Sequence, residues 1–128
     1  MSNYIGVGNM PNNFNDNLDY HIKATIFLND SIFGPGISKI MRLVKETNSL
    51  SEAYRIMGLS SSKGWKIIKK AEKDLGFPLF VTTIGGKGGG KSQLSKEGED
   101  LLNRYESFIS ELNIEGEKLF KKHFLDNK

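Results

Sequence analysis

The residues with the clearest chemical pattern lie at positions 84–95, IGGKGGGKSQLS. Gly85, four residues, then Gly90, Lys91 and Ser92 match the G-x-x-x-x-G-K-[ST] loop, in which backbone N–H groups cradle phosphates and the lysine reaches over them. Other chemistries lack their residues. With no cysteine in 128 residues there is no thiol nucleophile, disulfide framework or zinc finger. His21 and His123 stand alone, a poor ligand set for a transition metal. Neither a metal nor a cofactor is implied, and no catalytic residues are assigned.

A second pattern is the distribution of charge. Residues 60–92 carry seven lysines against Glu72 and Asp74, a local +5 in a chain whose net charge is +3. The flanking blocks are −2 over 1–20, +2 over 21–59 and −2 over 93–128. Positive charge gathered in one segment points to a local anionic partner rather than a generally adhesive surface.

The elements that position these residues follow from periodicity. An apolar fraction of 38% with 26% charged residues is that of a soluble globular domain, and the length suits one domain. No apolar run approaches the roughly 20 residues of a membrane span, and the start lacks the pattern of a secretory signal. A cytoplasmic protein with no membrane partner is expected. Residues 1–20, rich in Asn and Gly, read as a disordered arm, 21–94 as the folded domain, and 95–128 as a long helix with its tail.

Alternation of Ile22, Ala24, Ile26 and Leu28 with Lys23, Thr25 and Phe27 predicts a half-buried strand, with a short return at Ser31, Ile32 and Phe33 forming an N-terminal hairpin. Pro35 suits the first turn of a helix that buries Ile37, Ile40, Met41 and Val44 and turns Lys39, Arg42 and Lys45 outward. Ser49 and Glu52 form a capping box, Gly58 ends that helix, and Ser60 caps the next. Two short helices joined by a tight Gly-containing turn are a helix-turn-helix.

At 100° per residue the second of these helices gathers Gly64, Ile67, Ile68, Ala71 and Leu75 on one side and Ser62, Lys66, Lys69, Lys70 and Lys73 on the other, with Lys63 at the edge. A charged face is ordinarily just a solvated one. Here it is almost purely basic, follows the helix-turn-helix turn, and begins with Ser60, Ser61 and Ser62, short donors suited to phosphates and base edges. Gly64 inside a helix costs about 1 kcal/mol relative to Ala, so close approach of the preceding helix is expected there. Trp65 falls between the faces; packing is expected of it, with a phosphate contact through its indole N–H as the alternative.

After Gly76 the run FPLFVTTI predicts a strand, Gln93 and Leu94 an apolar return, and Ser95 the cap of a final helix. In that helix Leu101, Tyr105, Phe108 and Leu112 form a stripe widened by Leu102, Ile109, Leu119 and Phe120. A helix reaching Phe124 would span about 45 Å, more stripe than so small a domain covers, which predicts a homodimer joined through it. Gly116 is a candidate helix break.

These surroundings do not suit nucleotide hydrolysis. A phosphate loop needs a helix starting at its Lys-Ser and a parallel sheet of further βαβ units, yet 94–128 contains no second apolar strand and the helix starts late. Five glycines, Gly85, Gly86, Gly88, Gly89 and Gly90, with Lys87 and Lys91, match equally well the tip of a β-hairpin lying along a nucleic-acid backbone. The order of elements is that of an α+β, mainly helical, winged helix-turn-helix with an N-terminal hairpin, a Gly-rich wing and a long C-terminal dimerisation helix.

GPGISKIMRLV, GLSSSKGW, GGKGGGKSQLS and the helix opening at 95–98 resemble the N-terminal DNA-binding domain of ModE-type, molybdate-responsive transcriptional regulators, related to the LysR-type winged helices. The resemblance covers about residues 22–112. It implies a homodimer whose recognition helices enter successive major grooves of double-stranded DNA while the wings reach the flanking backbone. Ser60, Ser61, Ser62, Lys63, Lys66, Lys69, Lys70, Lys87 and Lys91 would contact DNA. Tyr54 stands where the family usually has alanine, and Gly64 opposite is the expected compensation. The molybdate-binding domains that normally follow are not expected in this chain, so molybdate binding is not carried over. The alternatives are a winged helix serving as a protein-interaction module and, less in keeping with the residues, a nucleotide hydrolase.

Overall fold

The first helix forms where its apolar spacing demands. In the computed structural model, which describes residues 17–28, 30–83 and 91–125, α1 runs Pro35–Thr47 with Pro35 in its first turn and Ile37, Ile40, Met41 and Val44 all buried. It stops at Asn48, whose left-handed backbone (φ 58°, ψ 29°) returns its N–H to the Val44 carbonyl. Helices α2, Leu50–Met57, and α3, Ser61–Leu75, follow. The last helix, α4, is Lys96–Phe120 and continues as a π-helical turn, Lys121–Leu125. Strands β1, Ile26–Leu28, and β2, Ser31–Phe33, form one antiparallel hairpin; β3, Phe80–Thr83, and β4, Lys91–Leu94, form another. The fold is mixed and mainly helical, with a make-up compatible with a winged helix. Among the described residues no helix is long and apolar enough to cross a membrane.

The chain divides into two units, Lys23–Phe108 and the terminal segments Met1–Ile22 with Ile109–Lys128. In the first, α1 lies on α2 and on the β4 edge, and the core is built from Phe33, Ile40, Met41, Val44, Leu79 and Leu102. Tyr105 completes it: its ring and that of Phe33 meet nearly at right angles with centroids 5.1 Å apart, and its hydroxyl donates to the Ala24 carbonyl at 2.6 Å. Arg42, expected to point to solvent, instead binds Glu106 of α4, and Lys45 reaches Glu99 at 2.9 Å. Both pairs sit where α1 and α4 meet.

Strand β1 is much shorter than the alternation of 21–28 predicts. Its partner offers only three residues before Gly34 and Pro35 start α1, and Pro35 has no N–H to extend a ladder. Ile26 is correspondingly 43% exposed, so the anticipated buried face does not form there, while Phe27, expected on the opposite face, is 69% exposed.

In the terminal unit Tyr20, read from sequence as part of a structureless arm, packs its ring on Phe120 at 4.8 Å, and its hydroxyl lies 3.1 Å from the Asn113 carbonyl and 3.3 Å from the Glu117 carboxylate. Stacking of the ring and hydrogen bonding of its tip offset part of the entropy lost in ordering it. Residues 1–16 of that arm lie outside the described residues. Gly116 does not break α4. A Cβ there would come within 2.7 Å of Ile22 Cδ1, so the glycine makes room for the segment that carries Tyr20.

Candidate nucleic-acid interface

The turn between α2 and α3 is fixed at both ends by local chemistry. The Ser49 hydroxyl accepts from the Glu52 N–H at 3.0 Å and starts α2. The reciprocal half of the capping box is absent: the Ser49 N–H goes to Thr47 Oγ1 at 3.2 Å, while the Glu52 carboxylate takes Arg55, whose hydrogen bonds hold that carboxyl below its ordinary value. Gly58 ends α2 in the left-handed region, φ 72° and ψ 28°, where a side chain would be strained. The Leu59 N–H then closes on the Tyr54 carbonyl at 2.8 Å, and the Ser60 hydroxyl accepts from the Lys63 N–H at 3.1 Å to start α3.

Gly64 is where α2 and α3 touch. A Cβ on it would lie 2.3 Å from Tyr54 Cε1, inside any tolerable contact, so the ring of Tyr54 fills the volume that a side chain at 64 would need. Burial, with the Glu72 carboxylate adding to it, pushes the Tyr54 phenol up from its ordinary value.

That packing turns one face of α3 outward. Gly64, Ile68 and Ala71 are buried, whereas Ser60, Ser61, Ser62, Lys63, Lys66, Lys69 and Lys70 are exposed. The lysines are not equivalent. Lys69 Nζ is 3.3 Å from Glu72 and Lys70 Nζ is 2.9 Å from Asp74, while Lys63 and Lys66 have no carboxylate partner among the described residues. The i,i+3 and i,i+4 spacings of Glu72 and Asp74 from Lys69 and Lys70 are the signal in the sequence for such pairs, which a net charge for the segment does not show. Trp65 is 57% exposed and so does not pack in the core; its ring lies 6.0 Å from Lys69 Nζ, on the cationic side of the helix. Ile67, expected to be core, stands at the surface.

The Gly-Lys-Ser pattern takes a form unlike a phosphate loop. Lys91 and Ser92 lie in β4, antiparallel to β3 with Thr83 opposite Lys91, and the next helix starts only at Lys96. Ser92 is buried and its N–H goes to the Asn48 carbonyl at 3.0 Å. Lys91 is exposed at the described end of the hairpin. Lys87 and the glycines at 85, 86, 88, 89 and 90 lie outside the described residues.

Over 86 residues the chain is 28% identical to a protein named transcriptional regulator ModE, from Yersinia pestis. The likeness is to a regulator. It covers 66% of this chain and 33% of that protein, so the chain spans about a third of the length of the curated relative it matches. No family model matches the chain.

The stripe expected to join two copies is divided by the fold. Tyr105 belongs to the core of its own chain, which removes it from any surface, and Leu101 is half-buried. Phe108 is 46% exposed. Leu112 is half-buried in the terminal unit, where Ile114, Leu119 and Phe124 are exposed. Among the described residues no group of His, Cys, Asp or Glu is arranged to hold a metal ion.

Proposed function

We propose that this chain is a transcriptional regulator that binds double-stranded DNA as a homodimer, through a winged helix-turn-helix. The observation that carries the reading is the outward face of α3, where Ser61, Ser62, Lys63 and Lys66 stand exposed beside a turn locked by Gly58 and by the fit of Gly64 on Tyr54. In this reading α3 enters the major groove, its first-turn serines and lysines meet phosphates and base edges, and the β3–β4 hairpin follows the flanking backbone as a wing with Lys87 and Lys91 on phosphates. The similarity to a transcriptional regulator supports it. Two copies join through the apolar stripe of α4, to which Phe108 and Leu112 belong, with the two recognition helices spaced for a palindromic site. The protein is not an enzyme in this reading, and no molybdate-binding role is proposed for it.

Electrophoretic retardation of genomic fragments around its own gene, repeated at two salt concentrations, tests the proposal. Binding that weakens steeply with salt is expected, because each neutralised phosphate releases counterions. Failure to retard any fragment at low salt overturns it. A second reading, a winged helix that docks a protein, draws on the exposed Ile26 and Phe27 of the first hairpin. Replacing Lys66 and Lys70 by Glu separates the two, since unchanged DNA affinity would favour the second.

A further inference from the structure

We infer that Glu72 is a positioning residue, holding the wing base and the start of α4 to the recognition helix while it keeps Lys69 from the DNA; the second half of this rests on the DNA-binding reading above. The Glu72 side chain is only 13% exposed, and its two oxygens do different things. Oε2 accepts from the Leu79 N–H at 2.7 Å, and Oε1 lies 3.3 Å from Lys69 Nζ.

Leu79 is the residue through which three elements meet. Its side chain is fully buried, and it directly precedes β3. Its carbonyl accepts from the Ser95 N–H at 2.9 Å and lies 2.4 Å from where a Cβ on Gly98 would be. The preceding carbonyl, of Pro78, takes the Ser95 hydroxyl at 2.6 Å, and that hydroxyl in turn accepts from the Gly98 N–H at 2.8 Å to start α4. One carboxylate on α3 therefore fixes the backbone that begins one arm of the wing and seats the last helix. A buried N–H deprived of its acceptor loses more than the bond is worth when made, so the anchor has no cheap substitute.

The same carboxylate sets which lysines face an anionic ligand. Lys69 and Lys66 lie on the same side of α3, but Lys69 is bound to a carboxylate that the Leu79 bond prevents from swinging away. Phosphates then meet Lys66 and Lys63 first, and Lys69 is left beside the Trp65 ring.

Glu72→Gln and Glu72→Ala separate the two tasks, because both remove the charge but only Gln retains an oxygen for the Leu79 N–H. The full chain of each is compared with the unaltered protein by amide hydrogen exchange at Leu79 and by retardation of a mixed-sequence DNA duplex over a range of salt. In Glu72→Gln the Leu79 amide stays protected, and DNA binding tightens at low salt with a salt slope steeper by about one, as expected for one lysine added to the phosphate contacts. In Glu72→Ala the Leu79 amide exchanges about five- to tenfold faster, and DNA affinity falls below that of the Gln variant despite equal charge. A Leu79 amide unchanged in Glu72→Ala overturns the anchor whatever the DNA does. Equal affinity and slope in the two variants overturns the link from anchor to DNA. Absence of retardation with the unaltered protein overturns the DNA-binding reading and the Lys69 half of the inference with it, while the exchange at Leu79 still decides the anchor.

Discussion

Tyr54 of α2 and Gly64 of α3 are complementary in shape: the nearest ring carbon stands 2.3 Å from where the Cβ of any residue at 64 would be. Helix propensity alone favours Ala over Gly there by about 1 kcal/mol. The steric term opposes it and is larger, since forcing a group into a filled interface typically costs about 1–3 kcal/mol. Gly64→Ala is therefore expected to lower stability to denaturant. The same change in a Tyr54→Ala background is expected to be neutral or stabilising, because the clash has gone and the propensity gain remains. Four unfolding curves close this cycle, and additive effects would show that the two sites do not interact.

Two other glycines should respond in opposite directions. Gly36, in the first turn of α1, has nothing within 4 Å of its missing Cβ, whereas Gly98 has the Leu79 carbonyl oxygen at 2.4 Å, a backbone atom that cannot rotate away. Gly36→Ala should stabilise by about 0.5–1 kcal/mol. Gly98→Ala should destabilise by more than that and loosen the junction of β3 with α4. Thermal melts of both proteins check the contrast, and a stable Gly98→Ala would mean that α4 starts differently in solution.

How much of this was legible beforehand depends on the range of the signal. The caps at Ser49, Ser60 and Ser95, the left-handed Gly58 and the buried face of α1 are written in residues three or four apart, and they stand as the spacing implies. A close approach at Gly64 was legible as well, because a glycine inside an otherwise good helix asks for a neighbour, and the family resemblance pointed to Tyr54 as that neighbour. What spacing could not show was anything decided by a partner distant in sequence. Tyr105 reads as one more residue of a dimer stripe until Phe33 and Ala24, over seventy residues earlier, claim its ring and hydroxyl. Gly116 reads as a break until Ile22 fills its place. The basic face of α3 was visible from the helical spacing of its lysines, but the division into paired and unpaired lysines needed side-chain geometry.

The division among those lysines predicts unequal effects on DNA binding. Lys66 has no carboxylate partner among the described residues, while Lys69 is bound to Glu72. Lys66→Ala should weaken binding at low salt and reduce the slope of log affinity against log salt by about one, the signature of one lost phosphate contact. Lys69→Ala should change the slope by less. Retardation measured at several salt concentrations compares them, and equal loss from both would mean that Glu72 releases Lys69 on binding.

Alkaline pH should reveal the buried tyrosines. Burial raises the phenols of Tyr54 and Tyr105 above the ordinary 10.0, so each holds its proton more tightly folded than unfolded. Stability contributed by such a group is complete below the unfolded value and is lost as pH rises through the folded one, because the unfolded chain then ionises first. The melting temperature should accordingly begin to fall above about pH 10. Tyr105→Phe cannot ionise, and it also loses the hydrogen bond to the Ala24 carbonyl, so it should be less stable at neutral pH yet fall less steeply in alkali. Melting curves taken from neutral pH to beyond 11 on both proteins test this, and parallel declines would mean that Tyr105 does not couple its ionisation to folding.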